Sequence, residues 1–180
     1  MKYLIISDIH GSAKYLKLAI KAYNDFKCDK ILILGDILYH GPRNDLPEEY
    51  APKECIALLN PLADKIEAVC GNCDAEVDQM VLSFKIDTPH FTSLNGKRVY
   101  LTHGHHLELV PDDAKVVLYG HTHISIIEHT DKYLAINPGS ISIPKGDKIN
   151  SFAVCDDDNL ITIYDFNYQK KDEIKLWSRL

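Results

Sequence analysis

The sequence predicts an α/β protein, and two features support that prediction. Short apolar runs rich in Ile, Val and Tyr recur along the chain, and each ends at a glycine beside an acid, an amide or a histidine. Such runs are typical of buried strands. Residues 13–27, between the first two runs, carry apolar side chains at helical spacing. Because 180 residues is the usual size of one domain, we expect a single domain over residues 1–180.

Five of these runs end in side chains that commonly bind metals. In an open α/β sheet the ligand crevice lies just beyond the carboxyl ends of the strands, so we expect the five ends to meet at one place. The runs are Tyr3–Ser7 before Asp8-Ile9-His10-Gly11, Ile31–Leu34 before Gly35-Asp36, Ile66–Cys70 before Gly71-Asn72, Val99–Thr102 before His103-Gly104, and Val116–Tyr119 before Gly120-His121-Thr122-His123.

The segments between these runs predict the rest of the scaffold. Ser12 is suited to cap a helix over residues 13–27, and strand, helix, strand makes a right-handed parallel unit. An irregular loop over residues 37–51 precedes a short helix from Pro52 to Asn60. Three further strand pairs are predicted, the first around an Asn-Gly turn: Phe91–Leu94 with Arg98–Thr102, Ile124–His129 with Tyr133–Ile136, and Ser151–Cys155 with Leu160–Asp165.

The spacing and number of polar residues favour a metal site. Alternate strand residues face the same way about 6.6 Å apart, so Asp8 and His10 form one ligand pair, and His121 and His123 another. Seven candidates are too many for one tetrahedral site with an open position, which favours two ions bridged most simply by Asp36. We expect Mn²⁺, with Zn²⁺, Fe and Mg²⁺ as alternatives. The candidate ligands are Asp8, His10, Asp36, Asn72, His103, His121 and His123.

In their order along the chain these motifs resemble those of the calcineurin-like metallophosphoesterases, from residue 3 to about residue 140. Residues 35–44, Cys73 and residues 137–140 further resemble the small YfcE-type phosphodiesterases. The resemblance implies a four-layer α/β/β/α sandwich with two mixed β-sheets. It also implies two ligand sets that share one carboxylate: Asp8, His10, Asp36 and His123 for one ion, and Asp36, Asn72, His103 and His121 for the other.

The resemblance implies a phosphodiesterase in which a hydroxide bridging the two ions attacks phosphorus. We expect Asn72, His103 and Cys73 to act in catalysis. Cys73 stands where many members have the histidine that protonates the leaving group, and a thiol with a pKa of about 8.5 is a poorer acid than an imidazolium. His105 or His106 is the alternative proton donor.

Three neighbouring residues complete the predicted site. Arg43, in the loop after the bridging aspartate, is expected to bind a phosphate oxygen, and His105 is expected to contact the substrate. Asp74 is expected either to cap the following helix or to orient a metal ligand.

Other functions stay open at this point. The same motifs are also compatible with a phosphomonoesterase. Some proteins that resemble this family are non-catalytic scaffolds that bind other proteins, which is a second alternative. Cys70-Gly71-Asn72-Cys73 also has the spacing of a thiol oxidoreductase motif. That alternative requires Cys73 to lie in the first turn of a long helix, where the helix dipole lowers a thiol pKa.

Composition and charge limit the partners. A formal net charge of −6 argues against a nucleic-acid-binding face and leaves a small-molecule phosphodiester as the expected partner. We expect no signal peptide, no membrane span and a cytoplasmic location, with the five cysteines as free thiols. The charged C-terminal tail carries Ile174, Leu176 and Trp177, which are expected to dock on the body or on another subunit of a homo-oligomer.

Overall fold

The computed structural model describes residues 1–176. They form two β-sheets that pack face to face. The helices are α1 (Ala13–Asp25), α2 (Pro52–Leu59) and α3 (Glu76–Val81), with 3₁₀ segments at Asn60–Lys65 and Leu107–Leu109. The strands are β1 (Tyr3–Ile6), β2 (Lys30–Ile33), β3 (Ile66–Val69), β4 (Ile86–Asp87), β5 (His90–Leu94), β6 (Lys97–Leu101), β7 (Val116–Leu118), β8 (Ser125–His129), β9 (Leu134–Pro138), β10 (Ser151–Cys155), β11 (Leu160–Asp165) and β12 (Lys170–Lys175).

Both sheets are mixed, as predicted. The larger has the order β12-β11-β10-β1-β2-β3-β4, in which β1 to β4 run parallel and β10 to β12 pair antiparallel. The smaller has the order β5-β6-β7-β9-β8, with β6, β7 and β9 parallel. The carboxyl ends of β1, β2, β3, β6 and β7 therefore carry the predicted site.

Alternation of side chains along the strands builds the layers. In β1, Leu4 and Ile6 pack against the helices, whereas Tyr3 and Ile5 pack against the smaller sheet. The outer face of the smaller sheet, including Val117, is covered mainly by the segment 103–115. The fourth layer is therefore present, but in this segment it is an irregular chain with one 3₁₀ turn at Leu107–Leu109.

The element predictions hold at most positions. Ser12 caps α1, because its Oγ accepts the N–H of Tyr15 at 3.4 Å, and Pro52 begins α2. The helix expected after Asp74 is α3, whereas strand β4 was not predicted, because its two residues are too few to show a hydrophobic period.

The C-terminal stretch contributes an edge strand that the sequence did not predict. Strand β12 pairs with β11, the side chain of Leu176 is buried, and Ile174 packs on the core between the sheets. These two residues therefore dock on the body of their own chain, and Trp177 lies outside the described residues. Within residues 1–176 no helix has the length and apolar character that crossing a membrane requires.

Candidate metal centre

Five of the predicted ligands lie beyond strand ends, where their backbone has a positive φ angle, in the left-handed region of φ/ψ space. A positive φ crowds the Cβ of any residue except glycine, although Asp and His tolerate it better than most. Such conformations persist only where surrounding contacts hold them, and they cluster at functional sites. The φ angles are 54° at Asp8, 48° at His10, 56° at Asp36, 65° at His121 and 60° at His123.

Hydrogen bonds hold these strand ends against one another. The N–H of Asp8 donates to the carbonyl of Gly35 at 3.1 Å, and the N–H of His10 donates to the carbonyl of Asp36 at 2.9 Å. Between the two sheets, the N–H of His121 donates to Oδ2 of Asp8 at 3.0 Å. The polar ends of both sheets therefore meet at one edge of the molecule.

Three buried histidines present the same ring nitrogen to this centre. In each of them Nδ1 lies within hydrogen-bond distance of a backbone carbonyl oxygen, which can only accept, so Nδ1 carries the proton. The lone pair of Nε2 is then free for a cation. The bonds run from His10 to Tyr39 (2.8 Å), from His103 to Leu34 (2.6 Å) and from His123 to Ile143 (2.7 Å).

One group of ligands surrounds a buried carboxylate oxygen that has no hydrogen-bond donor. Oδ1 of Asp8 lies 3.3 Å from Nε2 of His123 and 3.6 Å from Nε2 of His10, and no described residue satisfies it. The two Nε2 atoms are 3.4 Å apart. Lone pairs that converge in this way are unfavourable unless a proton or a cation lies between them. Asp8, His10 and His123 therefore fit one metal ion.

The remaining ligands lie around Asp36. Its Oδ2 is 3.4 Å from Nε2 of His103 and 3.6 Å from Nε2 of His10. Oδ1 of Asn72 is 3.1 Å from Nε2 of His103, and the ring of His121 lies 5.2 Å from that of His103, measured between centroids. The structure thus brings all seven predicted ligands together, with Asp36 between the two groups.

The packing determines the charges in the metal-free protein. Burial alone would raise the pKa of Asp8, but the imidazoles of His10 and His123, whose Nε2 atoms face its carboxylate, hold that pKa well below its usual range. Burial alone would lower the pKa of His103, but the carboxylate of Asp36 at 3.4 Å and the charge of Asp8 outweigh burial and raise the pKa to about 9. A proton on such an imidazole occupies the place of a cation, so a metal ion must displace it.

Asp74 orients the shared carboxylate through the backbone. Its Oδ2 accepts the N–H groups of Asp36 at 2.8 Å and of Gly71 at 2.7 Å, while its Oδ1 accepts the N–H of Ile37 at 2.7 Å. A Cβ on Gly71 would lie 2.1 Å from Oδ1 of Asp36, so only glycine allows this approach. Of the two predicted roles of Asp74, the structure supports the positioning of Asp36; α3 is capped by Asp78 instead.

The turn at residues 137–142 lies directly under the site. The hydroxyl groups of Ser140 and Ser142 both donate to the carbonyl oxygen of Asp8, at 2.8 and 2.9 Å. The amide of Asn137 donates to the carbonyl oxygen of Gly120 at 2.7 Å. These bonds hold the strained ends of β1 and β7 in place.

A cavity of about 830 Å³ opens over the ligands. The predicted residues Arg43 and Cys73 lie in its wall, whereas His105 does not. His105 lies beside the wall, with its ring 5.5 Å from that of His103 and 6.1 Å from that of His121. The cavity is lined by Asp36, Tyr39, Gly41, Pro42, Arg43, Asn44, Asn72, Cys73, Asp74, Ala75, His121, Thr122, His123 and Lys145.

The environment of Cys73 does not favour a reactive thiol. Burial and the neighbouring Asp36 raise the pKa of Cys73 to about 12, and burial also raises the pKa of Cys70. Cys73 precedes α3, which begins at Glu76 and has six residues, so no long helix dipole acts on the thiol. Both cysteines are free, and α3 is not the long helix that the thiol oxidoreductase alternative requires after Cys73, so the structure does not favour that alternative.

Known proteins share this sequence pattern and fold. Residues 1–159 match the model of the calcineurin-like phosphoesterase superfamily domain. The chain is 44% identical over 168 residues to a protein of Escherichia coli K12 named phosphodiesterase YfcE, with 91% of each chain covered.

Solved structures agree with these sequence matches. The structure of YfcE, described as a phosphoesterase from E. coli, superimposes with a TM-score of 0.89 and 38% identity over 97% of this chain and 98% of that one. Vps29 of Entamoeba histolytica, solved with Zn²⁺, superimposes with a TM-score of 0.67 and 19% identity over 97% of this chain and 98% of that one, a likeness of fold alone.

Proposed function

The chain belongs to the calcineurin-like phosphoesterase superfamily, and we propose that it is a phosphodiesterase that acts with two divalent metal ions. One observation carries the proposal: Nε2 atoms of three histidines converge on two buried carboxylates at 3.3–3.6 Å, with every Nδ1 proton held by a backbone carbonyl. The relative named phosphodiesterase YfcE supports a diester substrate.

The donor set divides between two ions around Asp36. Asp8, His10 and His123 would hold one ion, and Asn72, His103 and His121 the other, with Asp36 shared. When bound, the ions would supply an activated water as nucleophile and stabilise the negative charge that grows on the phosphoryl oxygens. Oxygen and nitrogen ligands favour Mn²⁺, with Zn²⁺, Fe and Mg²⁺ as alternatives.

The side chains of the chain itself position the substrate. Arg43 lies in the cavity wall, and we expect its guanidinium to bind a non-bridging phosphate oxygen in a fork geometry. Asn72 and His103 lie side by side at the Asp36 end of the site and would fix the reacting phosphate there. His105, with its ring 5.5 Å from that of His103, is expected to contact a group attached to that phosphate.

We expect this site to protonate the leaving group of the substrate inefficiently. With its pKa raised to about 12 by burial, Cys73 holds its proton too tightly for an efficient general acid. We therefore expect esters of acidic alcohols, such as aryl phosphodiesters, to react fastest. Two divalent ions together with two aspartates and a hydroxide leave a net charge of about +1 at the site. A diester carries one negative charge, which this site can neutralise.

The free cysteines support a reducing compartment, and we place the enzyme in the cytoplasm on that ground.

The experiment compares bis(4-nitrophenyl) phosphate with 4-nitrophenyl phosphate, using metal-stripped protein before and after Mn²⁺ is added. The proposal expects metal-dependent release of 4-nitrophenolate, with the diester preferred. Preference for the monoester would replace the diesterase by a phosphomonoesterase. Absence of turnover despite bound metal would favour a non-catalytic scaffold.

A further inference from the structure

Lys145 lies in the wall of the cavity, and the sequence motifs gave no sign of it. It belongs to the turn that follows β9 and the segment under the site, while most of the wall comes from residues 39–44, 72–75 and 121–123. Its side chain is exposed and forms no ion pair with any described residue. A cation facing a phosphate-binding cavity without a carboxylate partner is available for an anion.

The turn is fixed to the metal centre by two hydrogen bonds. The N–H of Lys145 donates to the carbonyl of His123 at 2.9 Å, and the ring of His123 donates in turn to the carbonyl of Ile143 at 2.7 Å. At the other end of the turn, Asp147 forms an ion pair with Lys171 of β12 at 2.8 Å. The backbone of Lys145 is therefore held at a set position next to a ligand.

Arg43 and Lys145 border different ends of the ligand cluster. The loop of Arg43 contacts the Asn72–Cys73 end, since a Cβ on Gly41 would lie 2.9 Å from Sγ of Cys73. Lys145 is tied to the His123 end. The cavity, at about 830 Å³, has the size of a site for a drug-sized ligand and exceeds what one phosphate group fills.

We propose that Lys145 binds a second anionic group of the substrate, so that the preferred substrates are phosphodiesters that carry an additional phosphoryl group beyond the scissile one. This inference rests on the proposed function and narrows its substrate class. In this arrangement Arg43 binds the scissile phosphate, and Lys145 binds the additional phosphoryl group of the same substrate. The ammonium group acts as a point charge, so its contribution is electrostatic and is screened by salt.

The test uses two esters that differ in a single phosphate. One is the 4-nitrophenyl ester of thymidine 5′-monophosphate, and the other is the same ester with a 3′-phosphate; both release 4-nitrophenolate. Kinetic constants are measured with Mn²⁺-loaded wild-type protein and with Lys145→Gln, Lys145→Arg and Lys148→Gln. Lys148 is the matched control, because it is an exposed lysine of the same turn that does not line the cavity.

In Lys145→Gln we expect the KM of the 3′-phosphorylated ester to rise roughly five-fold at low salt, an effect typical of an exposed ion pair. The KM of the other ester and both kcat values should stay within about two-fold of wild type, and Lys145→Arg should restore the KM. The difference in KM for the 3′-phosphorylated ester between Lys145→Gln and wild type should vanish at about 1 M salt, where screening is nearly complete. Equal effects on both esters, no effect, or the same effect in Lys148→Gln would overturn the proposal.

A binding measurement separates this proposal from the proposed function. Titration calorimetry compares thymidine 3′,5′-bisphosphate with thymidine 5′-monophosphate on the same Mn²⁺-loaded variants. If the wild-type protein cleaves neither ester, the diesterase assignment fails, but a selective loss of bisphosphate affinity in Lys145→Gln still supports the anion site. Unchanged bisphosphate affinity in that variant would overturn it.

Discussion

Asp74 holds Asp36 through its backbone: Oδ2 of Asp74 accepts the N–H of Asp36 at 2.8 Å. The same carboxylate accepts the N–H groups of Gly71 and Ile37, both at 2.7 Å. The N–H of Cys73 completes the arrangement by donating to Oδ1 of Asp36 at 2.8 Å. One side chain thus locks the ends of β2 and β3 together and aims the carboxylate that both proposed ions share.

Replacing Asp74 by Asn should weaken both the fold and the metal site. The amide nitrogen of Asn cannot accept a hydrogen bond, so at least one backbone N–H loses its acceptor, at a cost of about 1–3 kcal/mol in the free energy of unfolding. Because Asp36 then loses its fixed position, Mn²⁺ affinity should fall roughly ten-fold or more. Calorimetry with Mn²⁺ and thermal unfolding measure the two effects.

Asp78→Asn is the matched control for this substitution. Asp78 accepts the N–H of Ala75 at 2.8 Å, a bond of the same kind that caps α3 and does not touch a ligand. It should lower Tm while leaving Mn²⁺ affinity unchanged. Wild-type Mn²⁺ affinity in Asp74→Asn would refute the positioning role.

His121→Ala should abolish most turnover without unfolding the protein. The ring of His121 is half-buried and has no hydrogen-bond partner among the described residues, so its removal costs few contacts, and alanine at this positive φ adds strain of about 1–2 kcal/mol at most. His121 is a proposed ligand of the ion at Asp36, so losing it should lower kcat on an aryl phosphodiester roughly a hundredfold or more. His106→Ala, which removes an exposed ring paired with Glu108, should leave kcat within about two-fold. Near-normal turnover by His121→Ala would remove this residue from the metal site.

Cys73→His should supply the proton that the native thiol withholds. The side chain of residue 73 lines the cavity, so an imidazole there has space to reach the leaving oxygen. We expect at least about a ten-fold gain in kcat for phosphodiesters with alkyl leaving groups and little change for aryl ones. Cys73→Ser, which adds no acid, should show no such gain. If the histidine variant improves both substrate classes equally, proton donation is not the limiting step.

The stability of the metal-free protein should depend on pH through His103. Burial lowers the pKa of His103, but the carboxylate of Asp36 and the charge of Asp8 raise it to about 9 in the folded protein. A raised pKa stabilises the fold fully below the unfolded value of about 6.5, and that contribution is lost as pH rises through about 9.

Urea unfolding of metal-stripped protein between pH 6.5 and 9.5 measures this loss. Saturating Mn²⁺ should reverse the trend, because the ion competes with fewer protons as pH rises. A His103→Gln variant should lose the slope. A free energy of unfolding that stays constant over this range in the metal-stripped wild type would contradict the coupling.

The sequence predicts the positions of the strand ends well, because their apolar runs are local and each is stopped by a glycine. Asp8, Asp36 and His121 could be named as candidates for that reason. Their left-handed backbone could not be predicted, since it results from hydrogen bonds between segments far apart in the chain, such as that from His121 to Asp8.

Other residues near the site could not be predicted for the same reason: their positions depend on contacts between segments far apart in the chain. Lys145 lies at the cavity only because the turn after β9 is bonded to His123, and no motif marks that contact. Strand β12 was missed because its charged sequence lacks an apolar run, whereas its pairing with β11 satisfies its backbone at a sheet edge. Tertiary hydrogen bonds, which a local pattern does not encode, place each of these elements.

If the site holds two ions around Asp36, metal-stripped protein should take up Mn²⁺ with a stoichiometry of two. Equilibrium dialysis with Mn²⁺ should give about two ions per wild-type chain, with hydrolysis of bis(4-nitrophenyl) phosphate rising until both are bound. Asp36→Ala should bind at most one ion tightly and lose turnover. Saturation at one ion per wild-type chain, or full binding of two ions by Asp36→Ala, would contradict the two-ion site.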